Sequence, residues 1–305
     1  MKILIIGGNG FIGSNLSKVL LEGEEEVYSF DIQLPKNSIQ GVRYITGDFF
    51  DDDCLEDAVR GMDVVVHAIS TINPGNSNKR YLQGYSRDFV QSVKLFDLCR
   101  KEAKKVIFLS SGGTVYGLQE NQPIKETALG VPINHYGSVK LCIETAMRTF
   151  NKQVHSQMII ARVANPYGPG QDFTKGVGFV DAALKKTILG EEIEIWGDGS
   201  VIRDYIYITD ACRMIYSLIR YQGAEEVFNI STSIGISQND VIKDLRNIGL
   251  SPKVKYAQMR SVDLPKIVLD NSKILNVCDF TPLTFKEGLS KYYDYLKNNN
   301  ILDKY

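Results

Sequence analysis

The stretch GGNGFIG, residues 7–13, constrains the fold of this chain more than any other part of it. It follows directly on an apolar run, Lys2–Ile6, and leads into a helical pattern, Gly13–Leu21. A strand that turns at once into a helix needs residues without a Cβ. One glycine makes the turn, one lets a ligand approach the backbone, and one lets helix and strand pack closely. Gly8, Gly10 and Gly13 fit the spacing G-x-G-x-x-G, while Gly7, Gly10 and Gly13 fit the related G-x-x-G-x-x-G. The helix that follows begins with free N–H groups and the positive end of its dipole, which suits a pyrophosphate.

The same alternation continues through the first half. Apolar runs at Glu26–Phe30, Val64–Ala68, Val106–Ser110 and Gln157–Val163 are separated by helical patterns at Leu55–Val59, Asp88–Glu102 and Tyr136–Phe150. Strands alternating with helices predict an α/β fold, a Rossmann-type doubly wound parallel sheet, and runs that are apolar throughout are those of strands covered on both faces. After Asn165 the texture changes to turn-rich segments, NPYGPGQ and WGDGS. A helix at Asp210–Arg220 and a run at Val227–Ile230 then read as a return to the sheet. The expected division is residues 1–164 with 211–236 as a dinucleotide-binding domain. Residues 165–210 with 237–305 form a smaller α/β substrate-binding lobe over the carboxyl ends of the strands, where ligands sit in open α/β sheets.

Composition narrows the partners. Lys and Arg number 35 against 36 Asp and Glu, a formal net charge of 35 − 36 = −1, so no nucleic acid is expected to be held by bulk charge. No apolar run is long enough to span a bilayer, so no membrane segment is expected. Five scattered cysteines, Cys54, Cys99, Cys142, Cys212 and Cys278, form no CxxC pair. They read as packed thiols in a reducing, cytoplasmic compartment. The three histidines stand alone, without ligand spacing, and no metal is expected.

Two further features carry chemistry. Asp31 closes the second strand, 18 residues after Gly13. A carboxylate there accepts hydrogen bonds from adenosine ribose hydroxyls and repels a 2′-phosphate, which favours NAD over NADP. Tyr136 and Lys140 in YGSVK lie at i,i+4, on one face of a helix. A tyrosine near its usual pKa of about 10 is a poor acid–base group at neutral pH, and a close ammonium is expected to bring it down by roughly 3 units.

With these residues in place, the sequence resembles the extended short-chain dehydrogenase/reductases, and within them the nucleotide-sugar epimerases of the UDP-glucose 4-epimerase type. The resemblance runs over nearly the whole chain: GGNGFIG, Asp31, GDFF, VVVHA, SSGGTVYG, YGSVK, RVANPYGPGQ, GDGSVIRDYIYITD, RSVDLP and TPLTFKEGL. It implies an NAD site made by Gly7, Gly10, Phe11, Ile12, Gly13, Asp31, Asp48, Phe49, His67 and Lys140. Asp48 falls where related folds place an acid near the adenine edge, and equally where a surface turn acid belongs. It further implies Tyr136 as the base at the sugar C4 hydroxyl, with Lys140 tuning it and holding the nicotinamide ribose. Asn165 meets the sugar diphosphate, Arg203 clamps phosphate, and Arg260 and Asp263 hold the nucleotide end. For Arg203 the plain alternative is a surface ion pair with Asp204. A homodimer through the helices around Asp88–Glu102 and Tyr136–Phe150 is also implied, with a UDP-sugar as the small-molecule partner.

The sequence departs from the family pattern at two points. The third hydroxyl position of S-S-S-x-T-V-Y-G is Gly112, so the hydrogen bond beside the tyrosine falls to Thr114 or Ser111, and a serine placed at 112 is expected to restore it. The usual Asn of the preceding helix is Asp88. Gly113 and Thr114 also lack the acid–base pair that sugar 4,6-dehydratases place before V-Y-G. Chemistry centred on C4 is left: epimerisation through a transient 4-keto sugar, or one-way reduction of a 4-keto sugar. A noncatalytic NAD-binding role is the alternative from another class. Ile267 stands where the family gates N-acetylated sugars, and its middling size leaves the sugar open.

Overall fold

The structure, a computed structural model, describes residues 1–102, 104–154, 156–171, 178–258 and 264–299. Six strands of the first half, β1 (Lys2–Ile6), β2 (Glu26–Asp31), β3 (Arg43–Thr46), β4 (Val64–His67), β5 (Lys105–Ser111) and β6 (Met158–Val163), lie side by side. The chain then leaves to form β7 (Asn165–Tyr167), β8 (Glu192–Trp196) and β9 (Ile202–Tyr207), and comes back as β10 (Val227–Ile230). The result is one parallel seven-stranded sheet in the order β10-β6-β5-β4-β1-β2-β3. The predicted runs are all present. The short strand β3 was not expected, because RYIT is half exposed and has no apolar run to mark it.

Alternation of side chains divides the core. Ile3 and Ile5 of β1, Val64 and Val66 of β4, and Ile107 and Leu109 of β5 face one layer, with helices Phe11–Glu22 and Ile208–Arg220. Leu4, Ile6, Val65, Val106 and Phe108 face the other, with Asp52–Val59, Val90–Lys101 and His135–Val154. Each fully buried side chain of this size contributes about 1.5–3 kcal/mol. The strands hold apolar residues on both faces because both faces are covered.

Strand order reverses at β1, with β2 on one side and β4 on the other, and such a crevice at the carboxyl ends is where an open α/β sheet takes its ligand. Outside that sheet the chain forms strands β11 (Gly235–Ser237), β12 (Lys253–Ala257) and β13 (Lys266–Ile267). There β9 lies between β11 and β13 and also pairs with β7, while β8 pairs with β12. A third core packs beside these smaller sheets, with Tyr167, Tyr205, Val180, Leu184 and Tyr292 among its members. Among the described residues no helix is long and apolar enough to cross a membrane.

Candidate active site

The glycine loop has the geometry its spacing requires. Gly7 has φ +80, and a Cβ there would stand 3.1 Å from the backbone nitrogen of Ile69. A Cβ on Gly13 would meet Gly7 O at 2.6 Å and Gly8 Cα at 2.8 Å, so the helix lies directly on the turn. Gly10 caps helix Phe11–Glu22 with no side-chain hydrogen bond, which leaves first-turn N–H groups open. Beside them opens a cavity of about 740 Å³ lined by Gly8, Gly10, Phe11, Ser14, Asp31 and Lys36, among others. Asp31 Oδ2 accepts from the Asn9 N–H at 3.2 Å and Oδ1 from the Ile32 N–H at 2.8 Å. Each oxygen keeps a lone pair for a ribose hydroxyl. This cradle, which a Cβ would fill, fits a dinucleotide. Gln33 and Lys36 also line it and carry no spacing by which the sequence marks them.

The side chains of four residues expected near the cofactor have packing or hydrogen-bond partners of their own. His67 is 2% exposed and Phe49 3%, with their rings 5.3 Å apart, and His67 is also packed on Phe96 and Phe108. These two side chains pack within the core. The Ser92 hydroxyl donates to Asp88 O at 2.6 Å, so His67 Nε2, 2.7 Å from Ser92 Oγ, is the donor of that pair. Burial then pushes the imidazole well below its ordinary pKa. Asp48 is exposed and accepts from the Phe50 N–H at 3.0 Å, as a turn acid does. Ile12 packs half-buried against the core.

Tyr136 and Lys140 lie on helix His135–Val154, and the Lys140 ammonium donates to Leu109 O at the end of β5, 3.0 Å away. It stands 5.7 Å from the centre of the Tyr136 ring. The expected lowering of the phenol is overturned. Burial, with the charge of Asp88 added, pushes Tyr136 up to about 12, and burial brings Lys140 down to about 8. Asp88 and Glu144 hold the Lys140 ammonium in its charged form against that burial. Asp88 lies in a π-helical turn, Gly84–Phe89. It accepts from Ser70 Oγ, Thr71 N and Thr71 Oγ1 at 2.9, 2.8 and 2.6 Å, three donors onto a group with only acceptors. An asparagine has one oxygen for the same task.

The segment after β5 joins the two halves of the site. A Cβ on Gly137, next to Tyr136, would lie 2.5 Å from Thr114 O, and one on Gly113 would lie 3.5 Å from Asn165 Oδ1. Ser111–Thr114 is therefore wedged between the tyrosine's helix and Asn165. The position of Gly112 corrects one expectation. A Cβ there would run into the Leu269 side chain and stand 3.1 Å from Arg162 O, so a serine at 112 is aimed at the core. Thr114 Oγ1 makes one long bond, 3.4 Å, to Ser111 O, and both Ser111 and Thr114 are partly exposed.

Asn165 Nδ2 donates to Asp204 O at 2.8 Å and lines a second cavity, about 280 Å³, with Phe179, Asp181, Trp196, Arg203 and Gln238. Arg203 donates to Leu264 O and Ile202 O, both at 2.8 Å. Its sequence neighbour Asp204 faces away, wholly buried, and accepts from Thr232, Ser233 and Leu269. A surface ion pair between the two is thereby excluded. Ile267 is 1% exposed and packs in the core. Arg260 and Asp263 lie outside the described residues. Asp181 and Gln238 are new to the site, since neither belongs to a recognisable motif. Among the described residues no cluster of metal-ligating side chains is present.

Known proteins share this fold. The chain is 30% identical to the dTDP-4-dehydro-6-deoxyglucose reductase of Escherichia coli over 95% of each protein. The crystal structure of the UDP-glucose 4-epimerase of Thermotoga maritima with UDP-glucose matches with a TM-score of 0.91 at 29% identity, covering 98% of this chain and 99% of that one. That of the Thermus thermophilus UDP-glucose 4-epimerase in complex with NAD matches with a TM-score of 0.88 at 25% identity, covering 97% and 99%. Residues 3–231 match the NAD dependent epimerase/dehydratase family as a whole, and the chain belongs to that family.

Proposed function

We propose that the protein is an NAD-dependent 4-epimerase of a nucleotide-diphosphate sugar, with a UDP-sugar as substrate. The observation that carries this reading is the wedge Ser111–Thr114, which touches the Tyr136 helix on one side and Asn165 of the second cavity on the other. It supports Tyr136 as an acid–base group close to the cavity that Asn165 and Arg203 line. When bound, NAD supplies the hydride acceptor and a positively charged ring. Tyr136 takes the proton of the C4 hydroxyl and returns it after the 4-keto sugar has turned over. Lys140 holds positive charge beside the phenol, and Thr114 supplies the neighbouring hydroxyl. Arg203 and Asn165 hold the diphosphate, as a planar guanidinium does through paired hydrogen bonds. Asp31 selects NAD by its contact with the ribose.

A second reading, a 4-keto-sugar reductase, draws on the Escherichia coli relative. Purified protein separates the two. An epimerase interconverts C4 isomers of a UDP-sugar without consuming nicotinamide, whereas a reductase uses one NADH per turnover and needs a 4-keto sugar. Absence of C4 isomerisation with every UDP-sugar offered removes the first reading. A cytoplasmic homodimer belongs to the same proposal. Val90 and Cys142, on the two helices expected to pair, are exposed, and light scattering gives the oligomeric state directly.

A further inference from the structure

The second cavity holds two polar groups without a partner. Asp181 is 3% exposed, and neither of its carboxylate oxygens has a hydrogen bond. Gln238 Oε1, on another wall of the same cavity, is buried and likewise unbonded. Buried polar atoms are nearly always satisfied, and a carboxylate left bare is among the more costly exceptions. The Tyr292 phenol and the backbone N–H groups of Gly168 and Asp181 lie close enough to favour the charged carboxylate, yet outside hydrogen-bond geometry. The backbone keeps room for the group: at Gly178 a Cβ would stand 3.1 Å from Asp181 Oδ2. Phe179 and Trp196 give the cavity flat apolar surface, and Arg203 and Asn165 give it an anion-binding end.

From this geometry, and resting on the nucleotide-sugar reading above, we infer that Asp181 reads the nucleobase. As a neutral acid it donates to a carbonyl of a pyrimidine dione and accepts from the adjoining N3–H. A protonated carboxyl offers one O–H donor beside one acceptor, and uracil presents the complementary pair. An ionised carboxylate has acceptors only. It would face the uracil carbonyl with like charge, and it suits instead the two adjacent N–H donors of guanine. Gln238 Oε1 is a second acceptor, and a ribose hydroxyl is a donor that any nucleoside brings to it. The ionisable groups around Asp181 among the described residues are Tyr167 on β7, Arg203 and Tyr205 on β9, and Tyr292 on helix Phe285–Asn298. Burial outweighs them and pushes Asp181 up to about 7, which keeps the neutral form populated near neutrality.

The test is calorimetric binding of UDP-glucose and GDP-glucose, which differ only in base and whose diphosphates do not titrate between pH 6 and 8. For the intact protein the dissociation constant for UDP-glucose should rise about tenfold from pH 6 to pH 8, as an acid with pKa about 7 gives up its proton. Asp181→Asn keeps one donor and one acceptor. It should bind UDP-glucose as the parent does at pH 6, with no change to pH 8. Asp181→Leu should weaken UDP-glucose tenfold or more at both pH values. A parent that binds UDP-glucose equally at both pH values, or an Asp181→Leu variant that binds it normally, overturns the inference. So does tighter binding of GDP-glucose than of UDP-glucose at pH 6. Should Asp181→Leu not fold, the flat profile of Asp181→Asn against the sloping parent still decides. If neither sugar nucleotide binds the parent, it is the nucleotide-sugar reading that fails.

Discussion

The two cavities are built on opposite plans. Around the glycine loop the ligand-facing atoms are mostly main chain, held by the absence of side chains at Gly7, Gly10 and Gly13 and by the start of one helix. In the second cavity they are side chains, Asn165, Asp181, Arg203 and Gln238, brought from β7, β9 and two helices. A main-chain cradle is read from a short contiguous spacing. A side-chain cavity exists only after distant segments have met. The first plan suits a cofactor common to a family, and the second suits a substrate that varies within it.

The largest effect is expected where the plans meet. Tyr136→Phe keeps the ring and removes the phenol, so kcat should fall by about 10²–10⁴-fold, the usual contribution of general acid–base catalysis. NAD affinity measured by fluorescence titration should hold. Near-normal turnover would take Tyr136 out of the chemistry. Next comes Thr114→Val, which is near-isosteric and removes one hydroxyl. A fall in kcat of roughly ten- to a hundredfold, about 1.4–2.7 kcal/mol, is expected. Normal rates in this variant, with loss in Ser111→Ala, would move the role to Ser111.

Gly13→Ala separates the plans directly. The added Cβ has no room against Gly7 O and Gly8 Cα, and both obstacles are backbone. Overpacking of this kind costs about 1–3 kcal/mol, so NAD should bind roughly ten- to a hundredfold more weakly while UDP-sugar affinity stays. Equal weakening of both ligands would mean that the two cavities are not independent. Arg203→Ala is the converse. It should raise KM about tenfold with little change in kcat, since a diphosphate contact is similar in ground and transition states. NAD affinity should stay as it was.

These contrasts also explain what the sequence revealed. Strands β1, β4, β5, β6 and β10 were legible because they are covered on both faces and therefore apolar throughout, and β3 was not because it is short and half exposed. Asp31 and the Tyr136–Lys140 pair were legible as spacings along one strand end and one helix face. His67 and Phe49 show the limit of positional reasoning. They sit at the right strand ends, but their side chains point into the core. Gly112 shows a second limit: a missing hydroxyl is visible in the sequence, whereas the direction its Cβ would take is visible only beside Leu269. Asp181 had no signal, since an acid in the first turn of a helix is ordinary until the cavity around it is known.

That acid gives the effect most specific to the second plan. A carboxyl with a pKa of about 7 in the folded protein and near 3.8 otherwise keeps its proton in the native state over a range in which the unfolded chain has lost it. Its contribution to stability is therefore full below the lower value, declines as pH rises between the two, and is level above pH 7. Asp181→Asn has no proton to lose. The Tm difference, variant minus parent, should accordingly grow from pH 4.5 to pH 7.5 and then stop growing. Over that range the folded and unfolded states differ in proton binding by an amount worth about 3 kcal/mol, and one kcal/mol moves Tm by about 2–4 °C in chains of roughly this size, so the gap should widen by roughly 6–12 °C. A difference that stays constant across this range would show that the carboxylate already has a partner at neutral pH. The second cavity would then be held together by Asp181 and would not be tuned by it.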